Sequence, residues 1–245
     1  MSESAPDTRL EERPGRTDAR VVAIVQARMG SSRLPGKALV DLGGARALEL
    51  VLQRLDEARE LQGIVLATSS DRSDDPVAEL GAAGGVPVVR GPLEDVLGRF
   101  ELAAAEHPCD AVVRITGDCP LVDPDVVDLV VRRWREGSAD YVANVIEPRT
   151  YPKGLDVEVV SLAALLTAAE EAGDPYDREH VTPFVRSHPE RFPQARVAHD
   201  PPYGRVRLTL DTPEDLAVLR ALVSRAGVRA RMDELIEALR ADADA

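Results

Sequence analysis

Apolar runs of four to seven residues recur along the first half of the chain, and each is followed by a polar turn that contains Gly or Pro. Runs of this length are typical of buried strands. The pattern predicts strands at 21–27, 63–68, 86–89 and 110–116. Between and after them, apolar residues recur at helical spacing, which predicts helices at 47–60, 76–81, 93–105 and 126–134. This alternation predicts an α/β fold with three αβα layers around a mainly parallel sheet.

The regular alternation of strands and helices ends after residue 140. Strands are expected at 141–146, at 206–210 and at 155–160, where alternating polarity suggests a half-exposed strand. Helices are expected at 162–171, 214–225 and 231–240, and Pro183 predicts a short or broken helix at 177–186. We interpret 21–245 as one domain, with an irregular region at about 145–200. Residues 1–20 have no apolar segment and are interpreted as a disordered tail.

Composition and charge exclude several classes of protein. The 245 residues carry a net charge of -13, whereas a nucleic-acid binder needs a broad basic surface. No apolar run approaches the ~20 residues of a membrane span. Cys109 and Cys119 flank a predicted strand, whose length would keep them too far apart for a disulfide. A cytoplasmic protein that contacts neither nucleic acid nor membrane is therefore expected.

The turn after the first strand is an exception to the acidic composition. It carries Arg28, Arg33 and Lys37 with two hydroxyl side chains and two glycines, a composition suited to binding an anion. It is not a P-loop, because five residues separate Gly30 from Gly36 and Ala38 follows the lysine. A basic, solvated turn without a ligand is the alternative interpretation.

Two acidic residues follow later predicted strands. Asp118 comes after 110–116 and Asp211 after 206–210, so both are expected at the edge of the sheet that holds the basic turn. Two carboxylates beside a phosphate-binding loop suit Mg²⁺. Asp211 precedes Thr and Pro, however, so helix capping is an equally good explanation for it. Asp123 and Asp125 superficially form a metal-binding DxD motif, but their position at a helix start favours capping.

Five segments together resemble the cytidylyltransferase superfamily. They are VQARMGSSRLPGK at 25–37, RITGDCPLVDP at 114–124, GLDVE at 154–158, REHVTP at 178–183 and RLTLDTPED at 207–215. The chain is most similar to the spore coat polysaccharide biosynthesis protein F branch, related to the CMP-Kdo and acylneuraminate cytidylyltransferases. The resemblance implies a Rossmann-like nucleotidyltransferase fold and Mg²⁺-dependent transfer of CMP from CTP to a hydroxyl of an acidic sugar. Pyrophosphate would be released, in surface polysaccharide or glycoconjugate biosynthesis.

The resemblance also implies roles for individual residues. The catalytic residues would be Arg28, Lys37, Asp118 and Asp211, with the two acids holding the metal. The nucleotide would be bound by Gln26, Ala27, Arg28, Gly30, Ser31, Ser32, Arg33, Lys37, Ala67, Thr68, Arg114, Thr116 and Gly117. Independently of the resemblance, the small sugar acceptor is expected at residues of the irregular second half, where a substrate lid would lie, namely Tyr151, Lys153, Asp156, Glu158, Arg178 and His180. Of these, Lys153 and Arg178 are the candidates for pairing with a sugar carboxylate, unless the region is a solvated loop with one structural ion pair.

The chain departs from the Kdo enzymes at two places. It has GPLEDVLGRF at 91–100 where they carry a Ser-Gly-Thr-Asp-Arg segment, and Cys119 where they carry Glu. Kdo itself is therefore not implied as the acceptor. Two alternatives remain open: a glycosyltransferase of similar fold that consumes a nucleotide sugar, and a non-catalytic nucleotide-binding protein. The similar enzymes are often dimers, and an exposed strand at 155–160 would offer an edge for pairing between subunits.

Overall fold

A computed structural model describes residues 15–243 of the chain. Within these residues the strands, in chain order, are β1 (Val21–Gln26), β2 (Gly63–Ser69), β3 (Val88–Gly91), β4 (Ala111–Thr116), β5 (Tyr141–Ala143), β6 (Glu158–Ser161) and β7 (Gln194–Arg196). These seven strands form one sheet in the order β3-β2-β1-β4-β6-β5-β7. β6 runs antiparallel to both of its neighbours, and the other paired strands are parallel.

Helices cover both faces of the sheet. β1 shows why, since Val21, Ala23 and Val25 belong to one buried apolar cluster, whereas Val22 and Ile24 belong to the other. The helices of the described residues are α1 (Ala47–Asp56), α2 (Asp75–Ala83), α3 (Val96–Glu106), α4 (Pro124–Arg135), α5 (Leu162–Glu171), α6 (Pro175–His180), α7 (Pro183–Ser187), α8 (Pro213–Ala226) and α9 (Met232–Ala243). Residues from α1, α2, α4, α8 and α9 fill the first cluster, and residues from α3, α5 and α7 fill the second. The predicted three-layer αβα fold is confirmed.

Most elements of the first half lie close to their predicted bounds. β3 begins two residues later than predicted, and α3 begins at Val96 because the Asp95 side chain accepts the N–H of Gly98 and caps the helix. The break predicted from Pro183 is confirmed, since α6 ends at His180 and α7 begins at the proline. Asp123 caps α4 by accepting the N–H of Asp125, as expected of capping rather than of a DxD motif.

The strand predicted at 155–160 differs from expectation. β6 is buried throughout, because β4 pairs with one of its edges and β5 with the other. The prediction that this strand is half-exposed is therefore wrong, and it offers no free edge to a second subunit. Its alternating pattern comes from Asp156, which lies before β6, and from Glu158, which the interior accommodates through hydrogen bonds.

The strand predicted at 206–210 is not part of the sheet. Arg207 forms only an isolated bridge with Lys153, although Leu208 and Leu210 are fully buried. The apolar run therefore reflects the burial of a connecting segment and not a strand of the sheet. β7, a three-residue strand parallel to β5, was not predicted.

The chain before β1 is partly described. Residues 1–14 of the predicted tail lie outside the described residues, whereas Arg16 donates to the carbonyl of Ala139 at 2.9 Å and stacks 4.4 Å from the Trp134 ring centroid. Cys109 and Cys119 are buried and free, and burial raises the pKa of both thiols. Within residues 15–243, none of the helices combines the length and apolarity that crossing a bilayer requires.

Candidate functional site

A cavity of about 800 Å³ opens at the carboxyl ends of β1 and β4. Its walls are the loop after β1, the turn after β4, the end of α6 and the segment before α8. The predicted site residues that line it are Gln26, Ala27, Arg28, Gly30, Ser31, Ser32, Arg33, Lys37, Arg114, Thr116, Gly117, Asp118, Asp156, His180 and Asp211. The structure thus brings together most of the residues that the sequence suggested for a nucleotide site.

The loop after β1 is held by a buried carboxylate. Asp74, 1% exposed, accepts the N–H of Met29 at 2.6 Å and the hydroxyl of Ser69. At the far end of the loop Gly36 adopts a left-handed conformation with φ 72°, and its N–H donates to the carbonyl of Met29 at 3.1 Å. The chain therefore turns back on itself and presents its basic and hydroxyl side chains to the cavity.

Lys37 joins the two predicted metal-binding acids. Its Nζ lies 2.9 Å from Asp118 Oδ2 and 2.8 Å from Asp211 Oδ1, and Arg33 lies 3.2 Å from that same Asp211 oxygen. Burial acts to lower the pKa of Lys37, but the two carboxylates outweigh it and raise that pKa above its usual value. Burial likewise opposes ionisation of Asp211, yet the contacts with Lys37 and Arg207 lower its pKa. Lys37 and Asp211 therefore carry opposite charges side by side in the cavity.

Backbone contacts bring the two acids together from distant parts of the chain. The N–H of Leu210 donates to the carbonyl of Asp118 at 2.8 Å, which places Asp211 beside the turn after β4. Gly154 makes this approach feasible, because a Cβ at that position would lie 2.5 Å from the backbone carbon of Leu208. Thr116 then orients Asp118 by donating to its Oδ1 at 2.6 Å.

The donor set fits a small divalent cation. Within the described residues, no three His, Cys, Asp or Glu side chains form a candidate all-protein metal site. Mg²⁺ typically takes only one or two carboxylates and fills its other positions with phosphate oxygens and water. The Lys37 ammonium lies between Asp118 and Asp211 and contacts both, so one positive charge is already shared by the two carboxylates. The two acids are thus close enough together to bind one ion.

Comparison with known proteins identifies the family. The family model described as Cytidylyltransferase matches residues 22–239. The chain belongs to the cytidylyltransferase family. It is 34% identical to the spore coat polysaccharide biosynthesis protein SpsF of Bacillus subtilis over 235 residues, which cover 92% of this chain and 96% of that protein.

Solved structures agree with this assignment. A cytidylyltransferase from Leptospira borgpetersenii is 32% identical with a TM-score of 0.87, over 92% of this chain and 96% of that one. A CMP:2-keto-3-deoxy-manno-octonic acid synthetase complexed with CTP shares the fold, with a TM-score of 0.65 and 19% identity over 84% of this chain and 99% of that one. The predicted cytidylyltransferase resemblance, the nucleotidyltransferase fold and the assignment as an enzyme are confirmed.

In this cytidylyltransferase, Arg114 lines the cavity and Glu158 lies directly behind it. Arg114 donates to Gln26 Oε1 at 3.1 Å and pairs with Glu158, which also accepts from the hydroxyls of Tyr141 and Thr182. Glu158 is only 3% exposed and does not line the cavity. Burial opposes its ionisation, but Arg114 and the two hydroxyls lower its pKa. Glu158 thus supports Arg114 from below, and the structure does not bring it to an acceptor.

Three other predicted acceptor residues lie away from the cavity lining. Arg178 is engaged by Asp95 through two nitrogens and by the carbonyl of Ala169 at 2.6 Å. Tyr151 is buried against the ring of His199. Lys153 is exposed and outside the lining. The structure therefore leaves Asp156 and His180 as the predicted acceptor residues that face the cavity.

Ala67 and Thr68, predicted beside the cytosine and ribose, are also outside the lining. Both are 0% exposed inside β2, which is paired with β1 on one side and β3 on the other. Their side chains therefore cannot contact a nucleotide in the cavity without a change in the sheet.

The cavity is also lined by residues that the sequence did not predict, namely Ala38, Val96, Arg99, Cys119, Glu179 and Thr209. Arg99 is 2% exposed and donates to the carbonyls of Pro92 and Leu93, while its Nε has no partner among the described residues. Glu179 pairs with Arg28 at 3.1 Å across the cavity. Local sequence offers little signal for either residue, because each lies in a helix whose position over the cavity depends on the tertiary fold.

Proposed function

We propose that this protein transfers CMP from CTP to a hydroxyl of a sugar, releases pyrophosphate, and uses Mg²⁺ held by Asp118 and Asp211. One observation carries the proposal: these two carboxylates meet within 3 Å of Lys37, beside the loop with Arg28 and Arg33. The nucleotide follows from the family. The SpsF relative supports a sugar destined for surface polysaccharide, and acidic sugars are the first acceptors to test.

The loop after β1 would bind the triphosphate. Arg28 and Arg33 supply positive charge, and the hydroxyls and N–H groups of Ser31 and Ser32 are further donors for phosphate oxygens. Lys37 would move its contacts from the carboxylates to phosphate oxygens as the nucleotide enters. These contacts align the α-phosphorus and neutralise charge on the pyrophosphate as it leaves.

Asp118 and Asp211 would hold the divalent ion with their carboxylate oxygens. A divalent ion bound there supplies charge neutralisation and acidifies the attacking hydroxyl. Asp156 and His180, on the opposite wall, would hold the acceptor so that its hydroxyl lies in line with the departing pyrophosphate. Among the described residues no side chain is an obvious separate base, so the proton of the attacking hydroxyl would pass to solvent and the chemistry would rely on alignment and charge.

The experiment is a pyrophosphate-release assay with a panel of nucleotides, acidic and neutral sugars, and Mg²⁺. CTP should be the preferred nucleotide, and Asp118→Asn should lower kcat by about 100-fold or more, the scale for losing one group that stabilises transition-state charge. Asp125→Asn is the matched control, because Asp125 is 71% exposed on α4 and does not line the cavity. It should retain activity.

Two results would overturn the proposal. Tight CTP binding with no pyrophosphate release from any mixture would favour a non-catalytic nucleotide-binding protein. Preferential binding of CDP- or UDP-sugars over CTP, measured by calorimetry, would favour a glycosyltransferase.

A further inference from the structure

The segment 207–215 contributes more than Asp211 to the site. Arg207 Nη2 donates to Asp211 Oδ2 at 2.7 Å, and the same guanidinium reaches Asp215 through Nε at 3.0 Å and Nη2 at 3.1 Å. One planar fork thus joins two carboxylates of the same segment. A lysine, with a single compact ammonium, cannot reproduce this geometry.

Asp215 anchors the fork to the start of α8. Its Oδ2 accepts the N–H groups of Asp211 at 2.9 Å and Thr212 at 3.0 Å, and its own N–H donates to the Thr212 hydroxyl at 3.2 Å. This reciprocal capping box fixes Asp215 to the first turn of a fourteen-residue helix.

The two oxygens of Asp211 have different partners. Arg207 holds Oδ2, on the α8 side, whereas Lys37 and Arg33 both contact Oδ1, on the cavity side. Without Arg207, the carboxylate could rotate about its side-chain bonds and offer either oxygen, or both, to a cation.

We propose that Arg207 is a positioning residue that, anchored by Asp215, holds Asp211 so that Oδ1 alone faces the metal. The inference rests on the proposed function, since it concerns the ion that Asp118 and Asp211 would share. It assigns a task to two residues, Arg207 and Asp215, that lie outside the cavity lining. Partners of this kind fix the orientation of metal ligands, and their loss typically weakens metal affinity by about 10- to 100-fold.

The competing explanation is an ordinary surface ion pair. The Arg207 side chain is 40% exposed, and exposed pairs contribute little to folding. Under both explanations, a variant that lacks the Arg207 guanidinium should fold with almost unchanged thermal stability. Weaker metal binding follows only if Arg207 positions Asp211.

The test measures Mn²⁺ binding by electron paramagnetic resonance in the presence of CTP and without acceptor, so turnover is not required. Arg207→Gln should weaken Mn²⁺ binding by about 10- to 100-fold, with CTP affinity measured without metal nearly unchanged. Arg207→Lys should recover only part of the affinity. Arg191→Gln is the matched control, because Arg191 is 41% exposed and also forms a two-pronged pair, with Glu171, outside the cavity.

The outcomes are separable. If the unmodified protein binds Mn²⁺ with CTP and Arg207→Gln binds it equally tightly, the positioning role is overturned while the proposed function stands. Full Mn²⁺ affinity in Arg207→Lys would likewise overturn the positioning role, because a planar guanidinium would then be unnecessary. If the unmodified protein binds no Mn²⁺ beside CTP, the metal site of the proposed function and this inference both fail.

Discussion

At the scale of single residues, the centre of the site is one ammonium between two carboxylates. Lys37 is one of only two lysines in the chain, and its side chain is 18% exposed. A partly buried ion pair is screened less than a surface pair, so the positive charge competes directly with any cation that approaches the two acids. A triphosphate can relieve this competition, because its oxygens offer the ammonium an alternative partner.

This competition leads to a prediction for Lys37→Gln. Removal of the ammonium leaves Asp118 and Asp211 facing each other without their shared counter-charge, so Mn²⁺ affinity of the nucleotide-free protein should rise by about tenfold or more. CTP affinity should fall, because the triphosphate loses a cation. Both affinities can be measured by titration calorimetry.

Lys153→Gln is the control for this change, since Lys153 is exposed and does not line the cavity. It removes the same charge from the whole protein but should leave both affinities unchanged. Equal Mn²⁺ affinity in Lys37→Gln and the unmodified protein would show that the ammonium does not compete for the site.

At the scale of elements, α6 is a short helix that depends on contacts outside itself. Six residues are too few for a stable isolated helix. Arg178 binds it to Asp95 at the start of α3 and to a carbonyl near the end of α5. The residue after the helix, Val181, has φ 72°, an unusual conformation for a β-branched residue. Because Glu179 and His180 line the cavity, the position of α6 shapes one wall of the site.

Arg178→Gln should therefore loosen α6 without unfolding the sheet. The lost hydrogen bonds are charge-assisted and half-buried, so amide exchange across 174–181 should accelerate by about tenfold or more, while amides of β1 and β4 keep their protection. Hydrogen exchange followed by mass spectrometry provides the measurement. Unchanged exchange in 174–181 would mean that packing, rather than the Arg178 contact, holds the helix.

The elements also show what local sequence can and cannot predict. β1, β2, β4 and α5 lie at or within one residue of their expected bounds, because an apolar run or a helical period is a local signal. The sequence does not predict β7 and wrongly predicts a half-exposed β6, because the formation of β7 and the burial of β6 both depend on pairing with strands distant in sequence. Three-residue strands carry too little pattern to reveal such partners.

The same distinction applies to the site. Lys37 and Asp118 were placed correctly because each follows an apolar run whose strand order determines the shared edge. Asp211 reached that edge although the strand expected before it is absent, through the hydrogen bond between Leu210 and Asp118. Arg99, Asp74 and Arg207 required the tertiary structure, since charged residues within or beside helices have many structural explanations.

At the scale of the whole molecule, Glu158 connects the two halves of the sheet. β6 joins the parallel strands on one side to β5 and β7 on the other, and its first residue binds Arg114 of β4, Tyr141 of β5 and Thr182 beside α7. A buried carboxylate with three donors is stabilising only while it is charged and all partners are present.

Glu158→Gln should consequently lower the free energy of unfolding near pH 7 by about 3 kcal/mol, the scale for breaking a buried ion pair. The folded protein holds the pKa of Glu158 below its usual 4.5, so its contribution is complete above that pH and is lost as the pH falls through the folded-state pKa. The difference between the variant and the unmodified protein should therefore shrink in acid. Urea unfolding at a series of pH values measures it.

Glu171→Gln separates this effect from a general loss of negative charge. Glu171 is also paired with an arginine, Arg191, but its side chain is 43% exposed, so water replaces the lost partner and stability should hardly change. A constant difference between Glu158→Gln and the unmodified protein from neutral to acid pH would contradict the argument. The cost would then arise from altered packing, because packing does not titrate, whereas an ion pair disappears when its carboxylate is protonated.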